Sequence, residues 1–135
     1  MSLVIVNSII CEDVRREADN KVSLVGVYPR REIALPKGEL FPTKLSSLHF
    51  YLQLETLEEC EVPIKFSARS PSGPPDLYPE IDAGPVRLFT EKENILNLHL
   101  KDFPIPEAGK YAVTLRIAET TVPLDFVVKE GQAAV

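Results

Sequence analysis

Apolar and polar residues alternate with a period of two along most of this chain, the pattern of strands with one face toward a core and one toward water. Leu48, Phe50, Leu52 and Leu54 alternate with His49, Tyr51, Gln53 and Glu55. Val62, Ile64, Phe66 and Ala68 then alternate with Pro63, Lys65, Ser67 and Arg69, and the two runs predict a hairpin around residues 58–61. Pro63 has no N–H to donate, so the second run is expected at a sheet edge or with this residue turned away from the ladder. Leu96, Leu98 and Leu100 repeat the alternation, as do Tyr111, Val113, Leu115 and Ile117. Val122, Leu124, Phe126 and Val128 follow a tight turn near Glu119–Thr121. With runs at 3–11 and 22–28 and weaker ones near 32–35 and 86–90, the chain predicts an all-β antiparallel sandwich of about eight strands.

Three segments depart from simple alternation. Leu3, Val4, Ile5, Val6, Ile9 and Ile10 are apolar on both faces, which fits a strand covered on both sides or one that a second chain covers in a dimer. Residues 12–19 offer only Val14 and Ala18 as an apolar face, so at most a turn or two of helix is expected there. Residues 70–85 hold five prolines and two glycines, which predicts an irregular loop through most of the segment. That loop carries Leu77, Tyr78 and Ile81, which either pin it to the core or meet a partner.

A chain of 135 residues fits one domain, expected over residues 1–130 with 131–135 as a disordered tail. At this size roughly two-thirds of the unfolded surface is buried, enough for stability without disulfides or metal. The net charge of −5 disfavours nucleic acid, because phosphate binding needs clustered Lys and Arg. No stretch approaches the roughly 18 apolar residues of a membrane helix, and the N-terminus lacks the basic region of an export signal. A cytoplasmic protein is therefore expected. Cys11 and Cys60 are too few for a disulfide framework and read as two free thiols. Neither has a neighbouring Cys or His of the kind that zinc requires.

Two segments carry resemblances. Glu107-Ala-Gly109-Lys-Tyr111-Ala-Val113 resembles the Asp-x-Gly-x-Tyr-x-Cys signature of immunoglobulin-like sandwiches, with Glu107 in place of the acid and Val113 in place of the cysteine. The resemblance implies an immunoglobulin-like form of the sandwich. The runs Cys11-Glu-Asp-Val-Arg-Arg and Lys21-Val-Ser-Leu-Val-Gly-Val-Tyr28, with Phe103-Pro-Ile-Pro-Glu-Ala-Gly-Lys-Tyr111, resemble a family of small uncharacterised bacterial proteins. That likeness implies a bacterial cytoplasmic β-sandwich and supplies no activity.

Candidate chemistry is sparse. His49 and His99 occupy outward positions of their strands and read as solvated, with a shared polar site possible if the strands are neighbours. The carboxylates Asp76, Glu80 and Asp82, and Glu12, Asp13 and Glu17, lack calcium-loop spacing. No nucleophile-elbow, zinc-protease or phosphate-loop motif occurs. The expectation is a non-enzymatic binding or assembly module without cofactor or metal. Its contacts would be an unknown protein partner at Leu77, Tyr78 and Ile81, and a homodimer through an edge strand or the N-terminal strand. The alternative is a small-ligand-binding protein or enzyme whose site, at His49 and His99, assembles from strand-borne polar residues.

Overall fold

A computed structural model describes residues 3–90 and 93–130, so the expected tail at 131–135 lies outside the described residues. The described chain is all-β, with twelve strands where the alternation suggested about eight. In chain order they are β1 (Leu3–Arg16), β2 (Val22–Val27), β3 (Glu32–Ala34), β4 (Thr43–Thr56), β5 (Cys60–Val62) and β6 (Ile64–Ser70). The later six are β7 (Gly73–Asp82), β8 (Val86–Leu88), β9 (Asn94–Ile105), β10 (Gly109–Ile117), β11 (Thr120–Pro123) and β12 (Phe126–Lys129). One sheet has four strands in the order β2-β1-β4-β9. The other has six, ordered β3-β12-β10-β6-β7 with β11 also paired to β10, and β5 and β8 form a separate ribbon.

The two sheets pack face to face through the residues that the alternation turned inward. Phe50 of β4 meets Phe66 of β6 and Phe126 of β12, each with ring centres 6.2 Å apart. Phe103 of β9 meets Phe126 at 5.7 Å and Tyr111 of β10 at 6.3 Å. Tilted and edge-on rings at these separations add to the burial of their area. Leu48, Leu52, Leu54, Val113, Leu115 and Ile117 complete a fully buried core.

Strand β1 looked apolar on both faces partly because its register shifts between Ile5 and Asn7, and partly because Val4 and Ile9 face outward, Val4 exposed and Ile9 half-buried. Leu3 and Ile5 pack on the core, the extra residue Val6 is exposed, and beyond it Ile10 points inward opposite Phe50. A bulge of one residue exchanges the faces of everything after it. The strand also runs on to Arg16, where only a helical turn or two was expected, and a short 3-10 turn follows at Ala18–Asn20.

Two expectations fail, the first because alternation reports a face and not a partner. The runs at 48–55 and 62–68 are not a hairpin: β4 pairs with β1 and β9, whereas β6 pairs with β10 and β7 in the opposite sheet. The connection passes between the sheets and pairs in passing, as β5, with β8. Pro63 sits at the break before β6, which is an interior strand, and its carbonyl accepts a 2.9 Å hydrogen bond from the Ala118 N–H. The second is that 73–82 is a strand and not a loop, its prolines having excluded only an interior strand. As an edge strand, β7 pairs on one side only, and its two register shifts against β6 fall at Pro74–Leu77 and at Pro79–Glu80. Prolines are tolerated there because edges and bulges need fewer N–H donors.

The corner ahead of β10 is tied by Tyr111 to the backbone of Glu107. Tyr111 is fully buried, and its hydroxyl donates to the Glu107 carbonyl at 2.6 Å and accepts from the Glu107 N–H at 3.3 Å. Burial pushes this phenol up from its ordinary value. Replacing Tyr111 with Phe keeps the ring packing and removes both hydrogen bonds. A loss of about 1 kcal/mol is expected, read as a lower urea midpoint with an unchanged slope.

Candidate functional site

The outer face of the four-stranded sheet holds most of the polar chemistry. Strand β4 runs between β1 and β9, so each outward residue of β4 has a neighbour on both sides. His49 lies opposite Cys11 and His99, and Tyr51 opposite Ile9 and Asn97. Ser47 lies opposite Lys101. Cys11, His49 and His99 thus form one row across three strands.

The two imidazoles stack with centres 4.0 Å apart and planes 8° from parallel. His49 is only 5% exposed, so the expectation of a solvated residue is corrected for this one, while His99 on the edge strand is exposed. Being turned away from the core does not make His49 wet, because Cys11 and His99 flank it, His99 stacks on its ring and Asn97 bonds it. Its Nδ1 donates to Asn97 Oδ1 at 3.2 Å, since a side-chain carbonyl oxygen only accepts. Its Nε2 is 3.8 Å from Asp13 Oδ1, too far for a hydrogen bond but close enough for an ion pair once the ring is protonated. The carboxyl of Asp13 is held below its ordinary value, first by its hydrogen bond from Arg15 at 3.2 Å.

His99 is fixed differently. Its Nε2 lies 2.9 Å from Ser47 Oγ, and that hydroxyl donates to the Glu12 carbonyl at 3.1 Å. With its one proton committed to the carbonyl, Ser47 receives the hydrogen of His99. Desolvation against the sheet, then repulsion from His49 and from Lys101, lower the pKa of His99, with Asp13 opposing. Cys11 completes the row as a fully buried thiol whose Sγ donates to the Asp13 carbonyl at 3.4 Å. Burial pushes that thiol up from its ordinary value, which removes it as a nucleophile.

Two clefts are lined by neighbours of the histidine pair, though not by the histidines themselves. One, of about 430 Å³, is lined by Val14, Arg16 and Lys21 from the β1–β2 hairpin and by Tyr51, Ile95 and Asn97 from the sheet. The other, of about 740 Å³, includes Asp13, Tyr28, Glu39, Lys44 and Ser47. Burial and the nearby Glu12 carboxylate push the Tyr28 phenol up to about 12, so it remains a donor at any ordinary pH. Asn97 joins the histidines to the first cleft, and Asp13 and Ser47 join them to the second.

The other sequence candidates lie elsewhere. Leu77, Tyr78 and Ile81 sit on β7, at the far edge of the six-stranded sheet. Tyr78 packs against Phe66 at 5.8 Å and Phe103 at 5.4 Å, and Leu77 also touches the core. Ile81 alone of the three stays exposed. Ser47, Asn97, Asp13 and Cys11 were not singled out as partners of the histidines. The available signal was the spacing Ser47/His49, Asn97/His99 and Cys11/Asp13, three polar pairs two residues apart on one strand face. Among the described residues no group of three His, Cys, Asp or Glu side chains is placed to hold a metal ion. No helix among them is long and apolar enough to cross a membrane.

No protein-family model matches the chain, and no curated protein matches it. Solved structures share its fold at low identity. The C-terminal domain of wzt is 10% identical, with a TM-score of 0.51 over 98% of this chain and 75% of that one. The alkylpurine DNA glycosylase AlkC of Pseudomonas fluorescens, bound to DNA containing an abasic-site analog, is 9% identical with a TM-score of 0.51 over 75% of this chain. The β-glucosidase EmGH1 of Erythrobacter marinus is 9% identical with a TM-score of 0.50 over 95% of this chain. This chain spans only 28% of the glycosylase and 15% of the glucosidase. These likenesses concern the sandwich alone.

Because the neutral form of His99 is favoured in the folded protein, the unfolded chain binds more protons below the ordinary value of 6.5. Stability from this group is therefore lost as pH falls through 6.5 toward the lowered value, and regained on the way up. In an NMR titration the His99 ring is expected to titrate below 6.5. Its midpoint should rise in His49→Gln, which removes the neighbouring charge. A midpoint unmoved by that substitution contradicts the coupling.

Proposed function

We propose that this chain is a non-enzymatic binding module whose site is the outer face of the four-stranded sheet, centred on His49 and His99. The observation that carries this reading is the nearly complete burial of His49 on a face away from the core, bonded to Asn97 and stacked on an exposed histidine, with the pair's partners Asn97, Asp13 and Ser47 lining two clefts. Preorganised polar groups beside apolar ones are what a small-ligand site requires. Arg16, Lys21 and Asn97 offer donors, and Val14, Tyr51 and Ile95 offer apolar surface. The ligand that fits is small, carries hydrogen-bond acceptors and has one apolar face. Two of the structures that share the fold contain it as a fraction of a longer chain, which suits a module that serves a larger assembly. The net charge of −5 favours a ligand other than nucleic acid.

One contact supports a second reading, an enzyme: Ser47 Oγ lies 2.9 Å from His99 Nε2. A nucleophilic serine must give its proton to the base, and here it gives it to the Glu12 carbonyl. Binding is the better use of this geometry.

The test is a ligand screen by NMR with monosaccharides, dicarboxylates and nucleotides, followed by calorimetry on His49→Gln and Asn97→Ala. A ligand of this site shifts the His99 and Asn97 resonances and binds roughly two- to twelve-fold more weakly to either variant, the equivalent of one lost hydrogen bond. Affinity unchanged in both variants rejects the site. Ester or glycoside turnover abolished by Ser47→Ala would favour the enzymatic reading instead.

A further inference from the structure

An end strand presents an unpaired row of N–H and C=O groups to any strand that comes beside it, and proteins usually block such rows. Most edges here are blocked. Strand β7 carries Pro74, Pro75 and Pro79 and two register shifts. Strands β3, β5, β8 and β11 are three or four residues long. Strand β2 has six residues and is bent at Gly26, where φ is +66°. Along the first half of β1, which β2 does not reach, the bulge breaks the row. There the Arg31 guanidinium also donates to the Ser8 hydroxyl at 2.6 Å and to the Ser8 carbonyl at 3.4 Å.

Strand β9 carries none of these devices from Asn94 to Lys101; its positive-φ residue, Asp102 at 53°, and Pro104 come only after that stretch. The strand is 12 residues long, keeps one unbroken register with β4, has no proline before Pro104 and ends the four-stranded sheet. Its core-facing Leu96, Leu98 and Leu100 remain only partly buried, and outward-facing Ile95 is 48% exposed. Glu93 and Lys101, exposed at either end of this stretch, make no ion pair among the described residues.

We propose that β9 pairs antiparallel with the same strand of a second copy about a twofold axis at Asn97, joining two four-stranded sheets into one. Antiparallel pairing about that residue sets Leu96 opposite Leu98 of the partner subunit and Ile95 opposite His99 of the partner subunit. It also sets Glu93 opposite Lys101 of the partner subunit, and the twofold repeats each contact. Opposite charges therefore meet at both ends, and between them Leu96 meets Leu98 on the inner face while Ile95 meets His99 on the outer one; opposite-charge and apolar cross-strand pairs favour an antiparallel ladder. A C2 interface needs this kind of self-complementarity. Shifting the axis to Leu98 would place Ile95 against Lys101 and leave Glu93 without a basic partner, so charge favours the register about Asn97 over that one. The pairing does not depend on the ligand site, though it would bring the partner's Ile95 over the exposed ring of His99.

Sedimentation equilibrium on the 135-residue chain tests it, with circular dichroism confirming that each variant is folded. The wild type is expected to form a dimer that weakens with added salt. Glu93→Lys and Lys101→Glu each turn two attractive contacts into repulsive ones, so dimerisation should weaken by roughly three- to thirty-fold. The double variant E93K/K101E restores opposite charges and should recover the wild-type constant. A wild type that stays monomeric at millimolar concentration overturns the proposal. Folded single variants that dimerise like the wild type overturn it too, as does a double variant no tighter than the singles.

Discussion

A β-strand offers its side chains to two faces in strict turn, and one inserted residue exchanges those faces for all that follows. That constraint organises this protein through Val6 of β1. Before the bulge, Leu3 and Ile5 fill the core; after it, Ile10 does so, and Cys11 and Asp13 arrive on the outer face. There Cys11 lies opposite His49, and the Asp13 carboxylate comes near the His49 ring. Without the extra residue, Cys11 and Asp13 would point into the core and the histidine pair would lose its neighbours on one side. The bulge thus supplies both the continuity of the core and the composition of the candidate site.

Much of the fold was legible because burial follows a pattern of period two. The inward residues of the Leu48–Leu54, Tyr111–Ile117 and Val122–Val128 runs are core residues. The last run nevertheless divides into β11 and β12, because Asp125 Oδ1 takes the Val113 N–H at 3.0 Å where a ladder carbonyl would otherwise stand. Which strand lies beside which was not legible. The segment after β4 has all the marks of a turn, yet it carries the chain across to the other sheet. The proline-rich segment was misleading in a different way: its prolines rule out an interior strand, and an edge with bulges makes no such demand.

The candidate site was half legible. His49 and His99 stand out as the only histidines in the chain, and their outward direction follows from their strands. Their contact depends on β4 and β9 pairing across the whole of residues 57–93, a fact no local pattern carries. The burial of His49 depends further on β1, which reaches it from the other side. Tyr78 shows the converse, an aromatic residue in an apparently open loop that proves to be an anchor against Phe66 and Phe103.

The parallel pairing of β3 with β12 bears on how the chain is made. Residues 32–34 lie at the sheet edge with β12 as their sole strand partner, and β12 spans 126–129. During synthesis the early strand must wait, unpaired, until nearly all the described chain has left the ribosome. Strand β12 is interior, between β3 and β10, so a message cut short before Phe126 yields a chain with its six-stranded sheet split and β3 stranded. Such a product would expose the inner faces of Tyr111 and Ile33, and quality control would meet it as an unfinished protein rather than a shortened one.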